Sequence, residues 1–232
     1  MAPMFFLSGP PPELVITEFV YFLIVFSLCL IVYFRTNSIY QLTKHKGILY
    51  FRNIFLFFSL AYLFRIALVS ILLGTEFDNF FVPRPFIGIL FTLVSFFSTM
   101  AILSMVAVSL PKFSKSKNLM PLLFAVAFLS SAIAFATRSQ REFLLIQTLV
   151  FLGAVVFAFV KERKDSSRHF ASQNRITYFL LFVFWLIDGI ALNRRIIPYE
   201  YKLPLYALSI IVFFWVYHRV SKRLSSNVKK KG

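Results

Sequence analysis

The chain has 232 residues, of which 59% are hydrophobic and 32 are phenylalanine, and its mean hydropathy is +0.79. Soluble domains are roughly 45–50% apolar, and an excess this large cannot be hidden in a water-soluble core of this size. The net charge of +16 brings nucleic acid to mind, and the single cysteine, Cys29, excludes an intrachain disulfide and a cysteine metal site.

In chain order, the opening "MAPMFFLSGPPPE" lacks the basic n-region of a cleaved signal peptide, so the first apolar segment is expected to be retained. Apolar stretches long enough to cross a bilayer follow, separated by polar and charged breaks. They predict helices at about 14–34, 54–74, 86–110, 119–136, 143–160, 176–192 and 203–217. The last is short, but Lys202 and Arg219 are expected to snorkel and Tyr199, Tyr201 and Tyr217 suit the interface. The fold class read from this pattern is an all-α integral membrane protein. It forms one seven-helix domain over 1–232, ending in a basic tail at 218–232.

Basic loops stay cytoplasmic. Eighteen Lys and Arg fall in residues 35–53, 111–118, 161–175 and the tail, against six on the other side. The N-terminus is therefore expected outside and the C-terminus inside, in the cell membrane. This topology also explains the +16 charge. Basic loops beside apolar helices point to the bilayer and its anionic lipids as partners, with no role for nucleic acid. If the protein is a sensor, the lack of an output domain obliges "KERKDSSRHF" and "SSNVKKKG" to meet a cytoplasmic protein partner.

Three ionisable residues interrupt the apolar runs: Glu18, Arg65 and Asp188. At 1.5 Å per residue, Arg65 lies roughly 14 Å below the outer end of its helix, and the two carboxylates roughly 6 Å below theirs. Gln147, Ser131 and Ser95 share the outer half, whereas Ser27, Ser59 and Ser104 are the polar groups of the inner half. One turn deeper than each charge is an aromatic residue with a polar tip, Tyr21, Tyr62 or Trp185, suited to form a floor. Arg65 has three readings: a packing clamp to Glu18 or Asp188, a bidentate anchor for a polar or anionic ligand in an outward cavity, or a snorkelling residue. Snorkelling demands a rise of about 14 Å, too far without local thinning of the bilayer.

Shifting the chain by 124 residues lays Glu18-Phe19 on Glu142-Phe143, His45 on His169, and Ile66-Ala67-Leu68 on Ile190-Ala191-Leu192. A repeat of this kind makes the bundle a parallel 3+1+3 pseudo-repeat, an architecture used by transporters. Other classes are disfavoured by what the residues lack. The seventh segment has no lysine for a retinal Schiff base. In "DGIALNRR" the spacing from Asp-Gly to Arg is wrong for a phosphatidyl alcohol transferase, and the downstream aspartates that hold the metal ions of those enzymes are absent. No histidine lies in an apolar segment, which removes intramembrane metallo- and serine proteases, and one helical aspartate is too few for an aspartyl protease. No catalytic residue, cofactor or metal site is assigned. The expected function is a receptor-like or sensory module binding a small polar or anionic ligand. Its site is lined by Arg65, Glu18, Asp188, Tyr62, Tyr21, Trp185 and Gln147. The alternatives are a small-solute transporter, with carboxylates able to carry protons, and an accessory subunit of a membrane complex.

Overall fold

The computed structural model describes residues 12–44, 46–77, 84–109, 119–137, 147–149, 151–153, 156, 169–192 and 198–229. All regular structure among them is helical: α1 (Pro12–Thr43), α2 (Lys46–Phe77), α3 (Arg84–Ser109), α4 (Leu119–Thr137), α5 (His169–Leu192) and α6 (Lys202–Lys229), the last preceded by a 3₁₀ turn at Tyr199–Tyr201. The segment expected at 143–160 lies largely outside the described residues, but its fragments at 147–149, 151–153 and 156 are helical. Four helices are long and apolar enough to cross a membrane, over Glu13–Thr43, Lys46–Ile71, Pro85–Val108 and Lys202–Lys222, and shorter apolar helices occur at Leu119–Ile133 and Phe179–Ala191. The protein is a helical membrane protein. Hydrocarbon has no water to bond exposed peptide groups, so each segment must satisfy its own backbone.

The helices overrun the apolar windows that announced them. The clearest cases are α1, which runs to Thr43 instead of residue 34, α2, which starts at Lys46 instead of 54, and α6, which runs to Lys229 instead of 217. The hydrophobic window measures the bilayer, whereas the hydrogen-bond ladder continues into the polar interface. Only Lys44 and His45 therefore separate α1 from α2. Lys44 has a φ of 51°, and its N–H closes α1 on the Tyr40 carbonyl at 2.8 Å. This left-handed helix stop is usually given to glycine.

In the packing, α1 lies between α2 and α6, α3 beside α2, α4 on α3, and α5 against α6. The fifth segment joins the two halves. Gln147 donates to Ser98 Oγ (2.9 Å) and Thr99 Oγ1 (2.7 Å) on α3, and Phe151 meets Trp185 of α5 at 5.8 Å between ring centroids. At Gly88, a Cβ would come within 3.1 Å of Phe135, so the missing side chain lets α3 and α4 approach closely.

The interior is a column of aromatic rings. Tyr62 and Phe58 both pack on Phe184, which meets Phe213, which in turn meets Phe55, with centroids 5.0–6.4 Å apart and mostly edge to face, the arrangement that ring quadrupoles favour. The outer faces, with Ile16, Phe34, Phe128, Leu129, Ile211 and Phe214 exposed, are apolar and suit contact with lipid. Helix hydroxyls mostly turn back on their own backbones: Ser27 donates to the Leu23 carbonyl, Thr36 to Val32 and Ser59 to Leu56. Ser104 differs: among the described residues its hydroxyl is buried with no hydrogen-bond partner.

Candidate functional site

The end of the bundle where α1 stops, α2 starts and α6 stops carries Arg35, Lys44, Lys46, Arg52, Arg219 and Lys222, and is called the basic end below. Glu18, Arg65, Asp188 and Lys202 all lie toward the opposite end. Along α1, one face presents Glu18, Tyr21, Val25, Cys29 and Val32, all buried at three- and four-residue spacing. Along α6, Lys202, Tyr206, Ser209, Phe213 and Val216 do the same. These two faces meet, and α2 and α5 close on them with Arg65 and Asp188.

Arg65 Nη1 donates to Asp188 Oδ2 at 2.5 Å. The other carboxylate oxygen accepts from the Tyr21 hydroxyl at 2.9 Å. A phenol has one proton, already given to Asp188, so the 2.8 Å contact between Tyr21 and Ser209 has the serine as donor. The result is a directed chain from Ser209 to Tyr21 to Asp188, met from the far side by Arg65. The guanidinium also lies over the Tyr62 ring, 5.0 Å from its centroid, and 5.9 Å from that of Phe22. These cation–π contacts are worth about 0.5–2 kcal/mol each where water is excluded.

A second pair stands beside the first. Glu18 Oε1 accepts from Lys202 Nζ at 3.2 Å and from the Tyr206 hydroxyl at 3.1 Å. The Tyr206 ring stacks on Tyr21 at 4.5 Å, which links the two pairs through aromatic faces. The four charges cancel. Lys202 is the first residue of α6, where the helix dipole disfavours a cation, and Glu18 offsets both the ammonium and the helix end.

Arg65 thus finds Asp188 rather than Glu18 as its counter-ion. Tyr21 and Tyr62 lie in the cluster, and Trp185 and Gln147 do not. Trp185 turns toward Phe151, and the floor position goes to Phe184, four residues before Asp188 and better aligned beneath it at 100° per residue. Gln147 bonds α3 instead. Lys202 corrects the expectation of snorkelling, since its side chain is completely buried on Glu18. Lys202, Tyr206 and Ser209 were missed as site residues, although their i, i+4, i+7 spacing in a helix that also carries an ionisable group was a readable signal.

The two pairs differ in one respect that matters for chemistry. Glu18 and Lys202 are 4% and 0% exposed, whereas the Arg65 side chain retains 16%. Among the described residues, the Arg65 guanidinium hydrogen-bonds Asp188 through Nη1 alone, so the rest of its five-donor fork remains open. Among the same residues, no three His, Cys, Asp or Glu side chains come together as a metal site.

No family model matches the chain. It is similar to an uncharacterized protein of Archaeoglobus fulgidus, 28% identical over 223 residues that span 93% of this chain and 96% of that protein.

Proposed function

We propose that the protein is a receptor-like or sensory membrane module that binds a small anionic or polar ligand at Arg65. The bundle is read as seven helices in the cell membrane with the N-terminus outside, placing the Arg65 cluster in the outer half. The observation that carries this reading is the incomplete use of Arg65. Asp188 orients the guanidinium through one nitrogen, while its remaining donors and partial exposure suit a planar carboxylate or a phosphate-like group. The ring column from Tyr62 to Phe55 lies between the cluster and the basic end, which favours one-sided access and hence sensing. A proton-coupled transporter is the second reading, favoured by the continuous Ser209–Tyr21–Asp188 chain and by the 124-residue repeat.

Thermal unfolding of the detergent-purified protein with acetate, succinate, sulfate and phosphate tests the site. A ligand at 100 times its Kd should add about 2.7 kcal/mol of stability. Arg65→Lys, which keeps the charge and loses the fork, should abolish the shift. A full panel without effect on the natural protein, or a shift that survives Arg65→Lys, overturns the reading.

Orientation has its own test. Cysteines introduced at Asn79 and Ser225 should label from outside and only after permeabilisation, respectively. The reverse pattern would move the Arg65 cluster to the inner half and remove the case for an external ligand.

A further inference from the structure

A second polar site lies at the basic end, on α6. Trp215, His218 and Lys222 recur at three- and four-residue spacing on its exposed face, and with Arg219 they line an open cavity of about 290 Å³. By volume this holds roughly ten waters, enough for a phosphate and its ester arms. Among the described residues, Arg219 Nε is buried without a hydrogen-bond partner. Arg35, by contrast, reaches α6 from α1 and has partners there, its Nη1 donating to Ser221 Oγ at 2.8 Å and its guanidinium lying 5.3 Å from the Tyr217 ring centroid. An unpaired buried donor is costly and rare, and here it belongs to a guanidinium that lines a basic cavity, where its other nitrogens suit an anionic acceptor.

The position of the cavity identifies the source of that acceptor. The exposed face of α6 runs from Leu208 and Ile211 through Phe214 to Trp215, and then turns basic at His218 and Lys222. This is the order hydrocarbon, interface, headgroup along a membrane-facing helix. A ligand whose charged part meets Arg219 and Lys222 therefore lays its remainder on apolar surface. We infer that Trp215, His218, Arg219 and Lys222 form a binding site for the phosphate of an anionic phospholipid, the acyl chains lying along Ile211 and Leu208. The Arg65 ligand plays no part in this site, and either can fail without the other.

The chain has two tryptophans, so in a Trp185→Phe background Trp215 is the only tryptophan reporter. Phosphatidylglycerol titrated into the delipidated protein in dodecylmaltoside should shift Trp215 emission saturably. Phosphatidylcholine and glycerol 3-phosphate should not do so at the same concentrations. Arg219→Gln with Lys222→Gln should raise the half-saturating concentration at least tenfold, while Lys44→Gln, at the same end but outside the cavity, leaves it unchanged. Circular dichroism verifies that each variant is folded. An equal response to phosphatidylcholine would mean mere acyl contact. An equal response to glycerol 3-phosphate would reassign the cavity to soluble phosphate. Equal weakening by Lys44→Gln would reduce the effect to diffuse charge. Any of the three overturns the site.

Discussion

Arg65→Leu is expected to destabilise the protein by about 3–5 kcal/mol, because it strands the Asp188 carboxylate inside an apolar bundle. The doubly substituted Arg65→Leu, Asp188→Leu protein should recover most of that loss, since no unpaired charge remains and the Tyr21 hydroxyl can donate to Ser209 in place of Asp188. Combining Arg65→Leu with Glu18→Leu should show no such recovery, because Glu18 is held by Lys202 and Tyr206 whereas Arg65 is held by Asp188. Unfolding in mixed micelles with increasing dodecyl sulfate measures all four variants. Recovery by Glu18→Leu equal to that by Asp188→Leu would mean the two pairs act as one network. The restored double variant also separates clamp from site: a packing clamp returns the protein to full function, whereas a ligand anchor leaves it stable and unable to respond to any anion.

Lys202 gives the second large effect. A lysine snorkelling at the surface would tolerate Lys202→Leu within about 0.5 kcal/mol. The observed lysine is wholly buried on Glu18, so the same substitution should cost about 3–5 kcal/mol, with Glu18→Leu costing a similar amount and the double substitution much less. Lys202→Leu also removes a cation from the first turn of α6, a gain of at most about 1 kcal/mol, too small to reverse the sign. A neutral result would show that the ammonium escapes to the interface and that Glu18 is neutralised by another group.

The two effects weigh on helices far apart in sequence. Arg65 and Asp188 are separated by 123 positions and Glu18 and Lys202 by 184, so each pair fastens an early helix to a late one. Packing alone offers little directional preference among apolar helices in lipid. Two ion pairs and the Ser209–Tyr21–Asp188 chain specify which faces of α1, α2, α5 and α6 turn inward.

Hydropathy by itself determined that the chain is helical and membrane-embedded, because hydrocarbon leaves the backbone no alternative and the apolar windows are long. It also brought out Glu18, Arg65 and Asp188, since a charge within such a window stands out against its neighbours. Which charge meets which was decided only by the tertiary structure, for pairing depends on helix rotation and neighbour order. Glu18 and Asp188 look equivalent when measured from their helix ends, yet only Asp188 faces Arg65. Lys202 was legible as a charge but not as a buried one, because its place at the mouth of α6 suits an interface residue until Glu18 is seen across from it. Trp185 failed as the floor for the same reason: a 100° step per residue turns it toward Phe151 and gives the place below Asp188 to Phe184, a distinction that depth along the helix cannot make.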